Sequence, residues 1–181
     1  MFKRFMSLFL VLLCLSFVPA LAYSGEVYSS AREEIDLGLP DVLAQDCAPI
    51  RPQSRAASGT EMFSFVGTNV AELVVTSSPK YFTKSSLSNG YLRIVGSASY
   101  ETATSGLKYR VGGCYWNSTS STYKTTVGQY AMALSGVSVD TSLSKSNFNS
   151  NYTYYGFLRN LDSYGSSNRV SGSFTFYNSS N

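Results

Sequence analysis

Beyond residue 57, hydrophobic and polar residues alternate in short runs. Val170, Gly172, Phe174 and Phe176 interleave with Ser171, Ser173, Thr175 and Tyr177. Tyr130, Met132 and Leu134 interleave with Ala131, Ala133 and Ser135. A period of two is the pattern of a strand with one buried face and one wet face. No stretch of 58–181 sustains a 3.6-residue apolar period. The runs are rich in β-branched and aromatic residues, which suit a pleated, half-buried surface. They predict strands near 61–67, 70–77, 80–87, 91–101, 107–117, 122–128, 129–139, 152–159 and 169–177.

Turn residues set the expected registers. Asn89-Gly90 fits a two-residue type I′ hairpin joining Tyr81–Ser88 to Tyr91–Tyr100. Leu92, Ile94, Gly96 and Ala98 then share one face, with Arg93 on the other. After a reversal at Ser105-Gly106, Leu107, Tyr109, Val111 and Tyr115 face one way. Lys108, Arg110, Cys114 and Trp116 face the other, with a bulge expected at Gly112-Gly113. Eight or nine short strands of this kind predict an all-β fold. The expected form is an antiparallel β-sandwich, immunoglobulin-like or jelly-roll, with a closed barrel as the alternative.

The first 57 residues follow other rules. Lys3 and Arg4 precede an apolar run from Phe5 to Val18, and Ala20-Leu21-Ala22 supplies a small-residue cleavage pattern. This predicts a signal peptide over 1–22, and hence a secreted, extracellular protein. Phe5 to Ala22 falls slightly short of the ~20 residues of a membrane-spanning helix, so no stable span is expected after cleavage. Residues 23–57 form an acidic leader and linker, with six acidic residues against three arginines. The body, 58–181, holds nine basic and five acidic residues, a formal +4. The leader is expected to be a largely irregular, solvated tail. Ser30 to Glu33 fits a helix capping box, which would start a helix of two turns at best. Export removes Cys14 and leaves Cys47 and Cys114 as a candidate disulfide. Closing that loop would add about 4 kcal/mol in the chain-entropy model.

Composition then narrows the chemistry. The chain has no histidine, which excludes histidine-activated nucleophiles and histidine-ligated metals. Two cysteines do not make a structural zinc site. No phosphate-cradling glycine motif occurs. The body carboxylates Glu61, Glu72, Glu101, Asp140 and Asp162 are scattered, and nothing marks a catalytic pair. The expectation is a protein that is not an enzyme, needs no cofactor or metal and binds no nucleic acid. Its partner would be an extracellular or cell-surface macromolecule, protein or glycan.

Two residue sets are candidates for that contact. Trp116, the sole tryptophan, precedes a polar loop and could stack on a sugar, although sharing a face with Cys114 favours a core position. Tyr152, Tyr154 and Tyr155 lie on alternate faces, so at least one should meet solvent. These aromatics motivate a carbohydrate-binding module as the alternative function. Arg93, Lys108 and Arg110 could gather on one sheet face and attract an anionic wall polymer or headgroup. A membrane-active, toxin-like β-domain built on hairpin 91–116 is a further alternative.

Overall fold

The computed structural model describes residues 33–46, 59–102, 106–162 and 168–180. All belong to one compact unit, Arg32–Asn181. The expected signal peptide, its cleavage site, Cys47 and the 47–57 linker lie outside the described residues. No helix among the described residues is long and apolar enough to cross a membrane.

The fold is an all-β sandwich of two packed sheets. Twelve strands occur among the described residues: β1 (Glu34–Gly38), β2 (Val42–Leu43), β3 (Thr60–Val70), β4 (Leu73–Val75), β5 (Tyr81–Thr83), β6 (Tyr91–Tyr100), β7 (Lys108–Asn117), β8 (Thr122–Thr126), β9 (Tyr130–Leu134), β10 (Ser138–Ser144), β11 (Thr153–Asn160) and β12 (Val170–Ser179). One sheet has the order β10-β6-β12-β3 and is antiparallel throughout. The other has the order β1-β8-β7-β11-β4-β2, with β9 also on β7 and β5 also on β11. Its one parallel pair is β2 with β4.

All nine expected strand regions contain a strand, and three more appear. The expected strand 129–139 is two, because Gly136 takes a φ of +75° and turns the chain between β9 and β10. The leader contributes β1 and β2. The expected helix after the capping box is instead β1: Ile35 and Leu37 stand two apart, and that spacing governs. The Asn89-Gly90 hairpin is also corrected. A turn is present, closed by Gly90 N–H donating to the Leu87 carbonyl. Yet β5 pairs with β11 in one sheet and β6 with β10 and β12 in the other. The turn therefore carries the chain across the sandwich.

Phenylalanine and tyrosine fill the core. Phe63 stacks on Phe176 at 4.8 Å, and Phe82 meets Phe148 at 5.3 Å and Tyr154 at 5.4 Å. Such pairs add about 0.5–1.5 kcal/mol each beyond area burial. Room for these rings comes from Gly113 and Gly156, which face each other across β7 and β11. A Cβ on Gly113 would lie 2.7 Å from Phe82 Cζ, and one on Gly156 would lie 3.1 Å from Phe63 and Phe65. The expected bulge at Gly112-Gly113 is absent on the β11 side, where register runs unbroken from Tyr109 to Cys114. The two glycines instead mark where the other edge of β7 passes from β9 to β8.

Candidate functional site

The outward face of the β1–β8–β7–β11–β4 sheet is not a plain wet surface. Strand β7 turns Tyr109, Val111 and Tyr115 to the core and Arg110, Cys114 and Trp116 outward, the parity expected from sequence. On β11, Tyr154 and Leu158 face the core while Tyr155 and Phe157 face outward. A second apolar cluster forms there from Leu37, Leu73, Val75, Cys114 and Phe157, with Ile35, Tyr123, Tyr130 and Tyr155 against it. Leu37 reaches it because the leader wraps this sheet. Strand β1 pairs with β8, Arg159 Nη1 donates to the Asp36 carbonyl at 2.7 Å, and the Asp41 carboxylate accepts from the N–H groups of Ala71, Glu72 and Leu73.

Four aromatic rings run along this face. Trp116 and Tyr123 sit directly opposite on β7 and β8, edge to face at 5.1 Å. Tyr123 meets Tyr155 at 6.3 Å, and Tyr155 meets Tyr81, its neighbour on β5, at 6.4 Å. The ends of the row are open: Trp116 is 44% and Tyr81 47% exposed. Tyr123 and Tyr155 are half-buried over the cluster that contains Cys114.

The opposite end of the same face is basic. Arg110 and Arg159 are directly paired across β7 and β11. Arg110 lies over the Tyr130 ring, its guanidinium carbon 4.4 Å from the centroid, and its buried Nε has no hydrogen-bond partner among the described residues. Burial, and then the charge of Arg110, hold the Arg159 guanidinium below the usual arginine range, with Glu72 and Asp36 acting the other way. Lys108 lies two residues before Arg110 and is exposed.

The expected site residues separate. Trp116 lies open to solvent, correcting the core position favoured by its shared face with Cys114. Tyr155 joins Trp116 in the row, but Tyr154 is fully buried in the core. Tyr152, 39% exposed, stacks face to face on Tyr115 at 4.1 Å in another place. That place is a cleft of about 230 Å³ lined by Glu34, Tyr115, Gln129, Asn147 and Tyr152 among others. Arg93 does not join Lys108 and Arg110. It lies on the other sheet, where both its Nε and Nη2 donate to the Asp140 carboxylate at 2.7 Å. The basic set is corrected to Lys108, Arg110 and Arg159. The expected Cys47–Cys114 bridge is not formed in this structure: Cys114 is a free, fully buried thiol enclosed by the apolar cluster.

Sequence reasoning missed Tyr81 and Tyr123 as site residues. Tyr81 sits at the parity opposite its buried neighbour Phe82, and Tyr123 takes the face of Trp116, its partner across β7 and β8. What the sequence lacked was the pairing of β5 with β11 that sets Tyr81 beside Tyr155. Among the described residues, no group of three or more Cys, Asp or Glu is placed to hold a metal ion. No family model, curated protein or solved structure matches the chain.

Proposed function

We propose that the protein is an exported, non-enzymatic binding domain that holds a glycan on its row of outward rings. The observation carrying this reading is the exposure of Trp116 at the end of the chain of contacts through Tyr123 and Tyr155 to Tyr81. Rings fixed by their neighbours lose little freedom on binding, and each offers an apolar face with a polar tip. Sugar rings present the matching combination of C–H faces and hydroxyl rims. Export rests on the charged start, apolar run and Ala20-Leu21-Ala22 pattern. The membrane-active alternative has less support, because β6 and β7 lie in different sheets and turn their apolar faces into the shared core.

The test is titration of the secreted protein with a polysaccharide panel, read by tryptophan fluorescence and by calorimetry. At least one polymer should perturb Trp116 emission. Trp116→Ala should weaken binding at least tenfold, since truncating an aromatic hot spot costs about 2 kcal/mol or more. An unchanged affinity for that variant sinks the reading.

A further inference from the structure

We infer that the ligand of this face is an acidic polysaccharide, its carboxylates taken by the Arg110–Arg159 pair. The inference rests on the glycan reading above and narrows it to a ligand class.

Two guanidiniums directly opposite on paired strands repel each other, and like charges in that position destabilise a sheet. The pair is nevertheless built in and half-buried. Two carboxylates act on Arg159 from nearby, those of Glu72 and Asp36, and neither is ion-paired with it among the described residues. Arg159 is held by the neutral carbonyl of Asp36, while the Asp36 carboxylate accepts from Gly38 N–H and the Thr122 hydroxyl. Neither arginine belongs to an ion pair among the described residues, whose ion pairs are Lys80–Asp46, Arg93–Asp140 and Lys124–Glu34. Arg110 Nε is buried with no hydrogen-bond partner among the described residues, so no carboxylate there neutralises it. Guanidinium forks fit carboxylates in two-point contact. Lys108 adds a third cation at the rim.

The same face ties this anion site to the rings. Arg159 follows Tyr155 by four residues on β11, which at about 3.3 Å per residue sets them roughly 13 Å apart along the strand. A lone carboxylic acid cannot use both ends. A polymer several sugar units long can.

The experiment uses two matched polymer pairs. One is polygalacturonate against its methyl ester, and the other carboxymethyl cellulose against hydroxyethyl cellulose. Each pair shares a backbone and differs in carboxylate charge. The secreted protein should bind the acidic member of at least one pair tenfold or more tighter, with the preference shrinking as salt rises. Arg110→Gln and Arg159→Gln, each checked for native circular dichroism, should weaken binding of the acidic member more than of the neutral one and so lose the preference. Equal binding of both members, still dependent on Trp116, overturns the acidic ligand and leaves the glycan reading standing. An intact preference in both arginine variants overturns the arginine assignment. Binding to neither pair, with no response from Trp116, removes both readings.

Discussion

Cys114 illustrates how burial decides the behaviour of a single side chain. Its thiol is fully buried, and that burial pushes its pKa well up. The thiolate is the reactive form, so a thiol held neutral and covered by Leu37 and Phe157 should be inert. In the native protein Cys114 should resist iodoacetamide, and unfolding in guanidinium without reductant should expose it fully. Protection that survives unfolding and yields only to reductant would instead report a bridge to Cys47. Gly113 makes the complementary point about space. A methyl group there would meet the tip of the Phe82 ring at 2.7 Å, whereas at Gly156 the nearest ring atoms are 3.1 Å away. Gly113→Ala should therefore destabilise by about 1–3 kcal/mol, the usual cost of overpacking, and by more than Gly156→Ala. Denaturant midpoints of the two variants check the order.

At the scale of elements, β1 is the strand most open to separate control. It holds one buried side chain, Leu37, and its first residue anchors it by charge. The Tyr115 phenol donates to the Glu34 carboxylate, and Lys124 Nζ lies 3.0 Å from its other oxygen. The phenol first, and Lys124 after it, hold the Glu34 carboxyl below its usual range. A carboxyl lowered on folding stabilises the folded state above its unfolded pKa, and that contribution disappears as pH falls through the lowered value. Amides of Glu34–Gly38 should thus exchange faster relative to the core on acidification into that range. Glu34→Gln should show the faster exchange already at neutral pH, and unchanged protection in that variant would count against the anchor. On β6 and β7 local parity is legible in the sequence: Lys108, Arg110, Cys114 and Trp116 share one face, with Leu92, Ile94 and Ala98 opposite Arg93; on β9 it is not, since Ala131 and Ala133 pack on the core while Met132 and Leu134 are exposed. The partner of each strand was not legible. Alternation reports which side of a strand is dry, but not which sheet it joins, so Arg93 was grouped with residues of the other sheet. Strand β10, Ser138–Ser144, escaped because only Val139 and Leu143 in it are buried. The aromatic row was half visible for the same reason, since Trp116 and Tyr155 meet Tyr123 and Tyr81 only through strand pairing.

Across the whole molecule, ionisation is concentrated at the two ends of the pH scale. The chain has no histidine and 14 tyrosines, so no imidazole titrates between the carboxylates and the phenols. Five tyrosines, Tyr100, Tyr109, Tyr115, Tyr123 and Tyr177, have pKa values raised above 10.0, burial being the largest cause in each. Their surroundings oppose ionisation in different ways. Tyr109 donates to the Val137 carbonyl and Tyr100 sits between the Lys108 carbonyl and Asn160, whereas Tyr115 faces the Glu34 charge. A group raised on folding contributes stability in full below its unfolded pKa and loses it as pH rises towards the folded one. Above about pH 10 the unfolded chain releases phenolic protons that the folded protein retains, so the unfolded state binds fewer protons and the unfolding free energy falls with pH. Urea midpoints should stay nearly level from about pH 6 to about pH 8, fall slightly as the Cys114 thiol ionises in the unfolded chain, and drop steeply above about pH 9, several phenols acting together. Tyrosinate absorbance should show these five phenols ionising only as the protein unfolds. A single class at the free value, with midpoints level through about pH 11, would mean that these rings are open to water and that the core is not packed as described.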